Sequence, residues 1–151
     1  MIVEIPTVAA MQAFGARLAR LLRAGDLIVL SGPLGAGKTA LAQGIGAGLE
    51  VTGRVVSPTF VIARVHRGGR LPLVHVDAYR LGSIAEVDDL DLDVDLADGV
   101  TVVEWGAGLV EQLTDAWLHV RIERADDSET RSVRLEPNGG DWAARAGAVA
   151  G

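Results

Sequence analysis

The chain has 151 residues, 49% of them hydrophobic, a net charge of −6 and no cysteine. That length supports one substantial core and is short for two ordinary domains, so a single domain over residues 1–151 is expected. No apolar run approaches the roughly 20 residues that span a bilayer, and without Cys there is neither a disulfide framework nor a thiolate metal site. The acidic balance argues against a free-standing nucleic-acid binder, since affinity for a polyphosphate backbone comes largely from concentrated cationic charge. A cytoplasmic protein without membrane contact is the expectation, and His66, His75 and His119 are too scattered in sequence to suggest zinc.

In chain order, residues 2–5 read as an edge strand, and Thr7 is placed to cap a helix running to about Arg23, with Gly25 ending it. Leu27-Ile28-Val29-Leu30 is a short apolar run suited to a buried parallel strand. Gly32-Pro33-Leu34-Gly35-Ala36-Gly37-Lys38-Thr39 follows it, a full match to the phosphate-loop pattern G-x-x-x-x-G-K-S/T. Beyond it, Leu41, Ile45 and Leu49 mark one face of a helix.

The only lysine of the chain is Lys38; every other basic residue apart from histidine is Arg. A planar guanidinium does not replace a compact ammonium that reaches from a helix start to the β and γ phosphates, which is a chemical reason for a lysine here. The three glycines permit the turns that aim several N–H groups at one anion, the helix adds its positive end, and Thr39 offers a hydroxyl to Mg²⁺.

Residues 61–66 and 71–77 are predicted to form a hairpin closed through Arg67-Gly68-Gly69-Arg70, which inserts antiparallel structure into an α/β pattern. Ser83 is predicted to cap a short helix over 84–90. The acidic run from Asp88 to Asp98 lacks the glycine and ligand spacing of a calcium loop and reads as a solvated face. Residues 101–105 read as a buried strand, 107–113 as a short helix, and 117–124 with 131–136 as a terminal strand pair. Gly139-Gly140 precedes a weak Ala-rich helix or frayed tail over about 138–151. The expected fold is a single-domain P-loop NTPase of the α/β class, with a mostly parallel central sheet, one antiparallel hairpin and helices on both faces.

A phosphate loop needs a second Mg²⁺ anchor, usually an acid at the C-terminal end of a neighbouring strand. Asp77 ends one apolar strand and Glu104 another. In open α/β sheets ligands gather beyond the carboxyl ends of the strands. Asp77 is assigned to Mg²⁺, directly or through water, and Glu104 either completes the metal shell or orients the attacking water. With Lys38 they form the expected catalytic set.

Taken together, the loop, Ser57-Pro58-Thr59-Phe60, His75-x-Asp77-x-Tyr79-Arg80-Leu81 and Glu104-Trp105 resemble, in order and spacing, the bacterial TsaE family. The resemblance runs from about Phe14-Gly15 to Arg131. The loop alone is shared by many families; the four blocks together are specific. The resemblance implies an ATPase of tRNA N6-threonylcarbamoyladenosine (t6A) formation that binds ATP and Mg²⁺. It also implies work with a two-protein threonylcarbamoyltransferase complex, of TsaB- and TsaD-like subunits, through which alone tRNA is met. It further implies that residues 57–60, with Thr59 among the nucleotide-binding residues, form a switch segment near the γ phosphate. Arg131 aligns with an arginine near the nucleotide, and Tyr79 and Arg80 take packing or partner-contact roles.

Pro33 departs from the polar residue often found in the family's loop, Ala40 from a second Thr or Ser, and Gly106 from a Pro after Glu-Trp. None removes a phosphate or metal ligand. A small-molecule kinase shares the loop, yet this length leaves little room for lids and acceptor-binding segments. A GTP switch of the Asn-Lys-x-Asp type is excluded, because the one lysine is committed to the loop.

Overall fold

The computed structural model describes residues 1–33, 35–52, 55, 63–77, 96–104, 114–124 and 128–150, with Asp77 and Leu96 described in backbone only. Its elements are β1 (Ile2–Ile5), α1 (Val8–Ala19), β2 (Leu27–Ser31), α2 (Lys38–Gly48), β3 (Ala63–His66), β4 (Leu73–Asp77), β5 (Val100–Glu104), β6 (Trp117–Arg124), β7 (Arg131–Asn138) and α3 (Trp142–Ala150), with a 3₁₀ turn over Leu96–Asp98.

One seven-stranded sheet runs in the order β1-β7-β6-β2-β5-β4-β3. The central strands β6, β2, β5 and β4 are parallel neighbours. The predicted hairpin is present as β3 paired antiparallel with β4 on one flank, while β7 runs antiparallel to β6 and β1 on the other. Among the described strands, therefore, only β3 and β7 oppose the common direction, and the carboxyl ends of β2, β5 and β4 meet at one edge of the sheet.

Strand alternation sorts the side chains. Ile28 and Leu30 of β2, Val100 and Val102 of β5, and Leu118 and Val120 of β6 join the core that holds Phe14, Leu18, Leu41, Ile45 and Trp142 of the three described helices. The opposite face of the central strands is buried as well, at Val29, Val74 and Val76. Both faces are thus closed around β2, as a parallel sheet requires. The described helices lie on the first face; the helices predicted over 84–90 and 107–113 lie outside the described residues.

Local chemistry explains the helix ends. Thr7 caps α1 as expected, its hydroxyl accepting from the Ala10 amide at 3.0 Å. The helix stops at Ala19 rather than Arg23. Leu21 and Leu22 instead donate to the carbonyls three residues back, and the Arg23 amide turns to the Asp26 carboxylate at 2.6 Å. Where a weak helix or frayed tail was expected, α3 is docked into the core through Trp142, which is 1% exposed. Arg145 lies 3.7 Å from the Trp142 ring and pairs with Asp26 at 2.5 and 3.1 Å. It also donates to the Leu21 carbonyl at 3.0 Å.

The position of α2, and hence of the loop before it, is set by contact with α1. A Cβ at Gly44 would stand 2.1 Å from the Gln12 carbonyl oxygen, and one at Gly15 2.5 Å from that of Leu41. Only glycine lets the two helix backbones approach this closely. Gln12 and Gln43 bridge them at 3.0 Å, and Gln43 continues to the Val55 carbonyl at 3.1 Å.

Candidate functional site

The loop joins the end of β2 to the start of α2. Gly37, the residue before the helix, has φ 115°, a left-handed conformation that L side chains rarely adopt, and no side chain caps the helix. The start of α2 thus has no side-chain cap, at the end where the helix dipole is positive and suits an anion. Lys38 is buried, 6% exposed, and its Nζ folds back to donate to the carbonyl of Gly32, with that of Pro33 at 3.4 Å. A buried ammonium needs such partners, and these carbonyls supply them.

Arg131 braces the same loop from outside. Its Nε donates to the Ala36 carbonyl at 3.1 Å and a terminal nitrogen lies 3.4 Å from that of Gly35. Its other terminal nitrogen binds the Glu129 carbonyl at 2.6 Å, which ties the β6–β7 hairpin to the loop. Beside this hairpin a pocket of about 170 Å³ opens between the loop and the start of α1, with Val8 and Met11 on one wall and Arg124, Glu129 and Arg131 on the other. The sequence singles out Gly35, Ala36, Gly37 and Arg131 of this lining, but not Val8, Met11, Arg124 or Glu129. Arg124 stands opposite Arg131 in the hairpin register, a relation that appears only once the strands are paired.

At the sheet edge, the backbone of Asp77 registers with that of Glu104, so the two acids chosen from sequence end adjacent parallel strands side by side. Glu104 is 5% exposed, and its Oε2 lies 2.6 Å from Nε2 of His75, which is fully buried. Thr39, half-buried, opens the helix. Leu34, Thr59, the rest of residues 57–60, Tyr79, Arg80, Trp105 and Gly106 lie outside the described residues. Of the departures within the loop, Pro33 uses its carbonyl to accept from the Ala36 amide at 3.1 Å, and Ala40 lines the pocket.

A second polar group lies just ahead of the loop and was not foreseen. Ser31 Oγ is 2.6 Å from His119 Nε2, and Arg121 Nε donates to Glu136 at 2.6 Å. The signal is structural: Ser31 and His119 sit on neighbouring strands 88 residues apart in sequence.

The donor set suits a nucleotide with a hard cation. Oxygen groups at Thr39, Asp77 and Glu104 match the preference of Mg²⁺, while Lys38 and the uncapped amides of α2 match phosphate oxygens.

A buried parallel strand, a glycine-rich loop closed by its own lysine and an uncapped helix define an α/β protein organised around a loop of the phosphate-loop pattern. The family model for threonylcarbamoyl adenosine biosynthesis protein TsaE matches residues 5–133, and the chain belongs to the TsaE family. A tRNA threonylcarbamoyladenosine biosynthesis protein TsaE of Streptomyces coelicolor is 59% identical over 139 residues, covering 88% of this chain and 94% of its own. One of Mycobacterium tuberculosis is 52% identical over 136 residues, covering 84% and 81%. The crystal structure of Bacillus subtilis YdiB matches with a TM-score of 0.81 at 28% identity, over 99% of this chain and 93% of that one.

Proposed function

We propose that this chain is a Mg²⁺-dependent ATPase that serves t6A formation in tRNA by working with a two-protein threonylcarbamoyltransferase complex of TsaB- and TsaD-like subunits in the cytoplasm. The observation that carries the nucleotide reading is the buried Lys38, reaching back to the Gly32 carbonyl from the start of a helix without a side-chain cap. The t6A role is drawn from the family and from the names of its members.

In this reading Lys38 exchanges its loop carbonyls for the β and γ phosphates, and backbone amides of the loop and of the start of α2 donate to the phosphate chain. The nucleoside lies in the pocket beside α1, its base against Val8 and Met11 and its polar edges near Arg124 and Glu129. Arg131 keeps the loop in shape and adds positive charge near the phosphates. Thr39, Asp77 and Glu104 are the residues that would hold Mg²⁺, whose charge, when bound, offsets that developing on the transferred phosphoryl group. Glu104 is also the group that orients the attacking water.

The acidic net charge leaves the tRNA surface to the partners. ATP binding, measured as a melting shift, and turnover with and without Mg²⁺ test the site. A phosphorylated small-molecule acceptor in place of free phosphate would move the reading to a kinase.

A further inference from the structure

Glu104 is buried at the end of β5, and a buried carboxylate needs a donor. The donor is His75, on the adjacent strand β4, with Nε2 and Oε2 2.6 Å apart. Register explains the contact. His75 stands opposite Val102, two residues before the point where β4 registers with Glu104, so the imidazole lies one pleat behind Glu104 and on the same face of the sheet.

The histidine is a costly way to fill this place. Because a carboxylate accepts, Nε2 is the donor in this bond, and Nδ1 is the second polar atom of the ring. That Nδ1 is buried and has no hydrogen-bond partner among the described residues. An apolar side chain here would bury no second ring nitrogen but would leave Glu104 without its donor, so the carboxylate, and not packing alone, accounts for the imidazole.

We propose that His75 is a positioning residue for Glu104: its Nε2–H holds Oε2 in the sheet edge and leaves Oε1 for the metal or the reacting water. The inference rests on the reading of Glu104 given above. It follows the logic by which groups behind a ligating side chain fix its orientation and tune its affinity.

Two variants separate positioning from packing. The side-chain amide nitrogen of His75→Gln can replace Nε2 as donor, whereas that of His75→Asn is too short to reach Glu104. The readout is Mn²⁺ affinity of the ATP complex, followed by electron paramagnetic resonance, alongside metal-free ATP binding. The expected result is at least about tenfold weaker Mn²⁺ binding in His75→Asn, largely recovered in His75→Gln, with metal-free ATP binding within about twofold of wild type in both. In ¹⁵N-histidine-labelled protein the His75 ring N–H should give a protected, downfield proton signal that Glu104→Ala abolishes. Equal Mn²⁺ affinity in wild type and His75→Asn, with Glu104→Gln impaired, would overturn the inference alone. Unimpaired Mn²⁺ binding and turnover in Glu104→Gln would remove the reading of Glu104 and the inference with it.

Discussion

Lys38, at the end of the loop, donates through Nζ to the carbonyl of Gly32 at its beginning, so the two ends are joined by the one side chain that the phosphate reading requires. Replacing it removes both the clasp and the charge. Lys38→Ala should keep the fold and lose the ATP-dependent rise in melting temperature, which for wild type corresponds to about 2.7 kcal/mol at a ligand concentration a hundredfold above Kd. Lys38→Arg should lose most of it too, since the planar fork does not fit a site built for an ammonium. An unchanged ATP shift in Lys38→Ala would refute the assignment of the loop.

The paired ends of β4 and β5 make a second prediction. Asp77→Asn and Glu104→Gln should each lower Mg²⁺-dependent turnover by at least about tenfold, or roughly 1.4 kcal/mol of barrier. Metal-free ATP binding should change much less. Steady-state rates across a Mg²⁺ titration check this, and wild-type rates in both variants would show that neither acid takes part.

Two glycines make opposite predictions about stability. Gly44→Ala places a methyl 2.1 Å from the Gln12 carbonyl and forces α1 off α2, at an expected cost of about 1–3 kcal/mol. Gly147→Ala, in α3, meets nothing within 4 Å and should stabilise by about 0.5–1 kcal/mol through helix propensity. Denaturant unfolding of the two variants checks both signs. A neutral Gly44→Ala would show that α1 and α2 are less closely fixed than their backbone contact implies.

His66 should make stability depend on pH. Burial, with His75 and Arg64 nearby, holds its imidazole below the ordinary value, and its Nε2 is buried without a hydrogen-bond partner among the described residues. The unfolded chain takes up this proton at a pH near 6.5 while the folded chain does not. Stability is then complete above about pH 6.5, falls as the pH is lowered from there, and levels off below the folded-state value. His66→Gln should flatten the difference in melting temperature between pH 7.5 and 5.5 relative to wild type. An identical pH slope in the variant would show that His66 titrates as it does in the unfolded chain.

Local signals made much of this architecture legible. The apolar run of β2, the Thr7 cap and the Gly68-Gly69 turn each act over a few residues, and each is where the sequence places it. Relations across the chain were not legible in the same way. The docking of α3 depends on Arg145 meeting Asp26 and the Leu21 carbonyl, more than a hundred residues away, so an Ala-rich segment alone reads as a tail. The loop motif and the two strand-end acids stand out because their residue types are tied to phosphate and metal chemistry. His75 as the donor to Glu104, and the pocket wall on α1, emerge only from strand register and helix packing.

The most direct test of the proposed role is one series of ATP turnover measurements, with this protein alone and with the threonylcarbamoyltransferase complex added. An arginine or equivalent group supplied in trans is worth about 10³ to 10⁵ in rate at a phosphate loop, and the arginine placed here, Arg131, is occupied with loop carbonyls. The predicted result is slow Mg²⁺-dependent hydrolysis by the isolated protein and a large rise on adding the partners, lost in Lys38→Ala. Full-speed hydrolysis by the protein alone, unaffected by the complex, would contradict it.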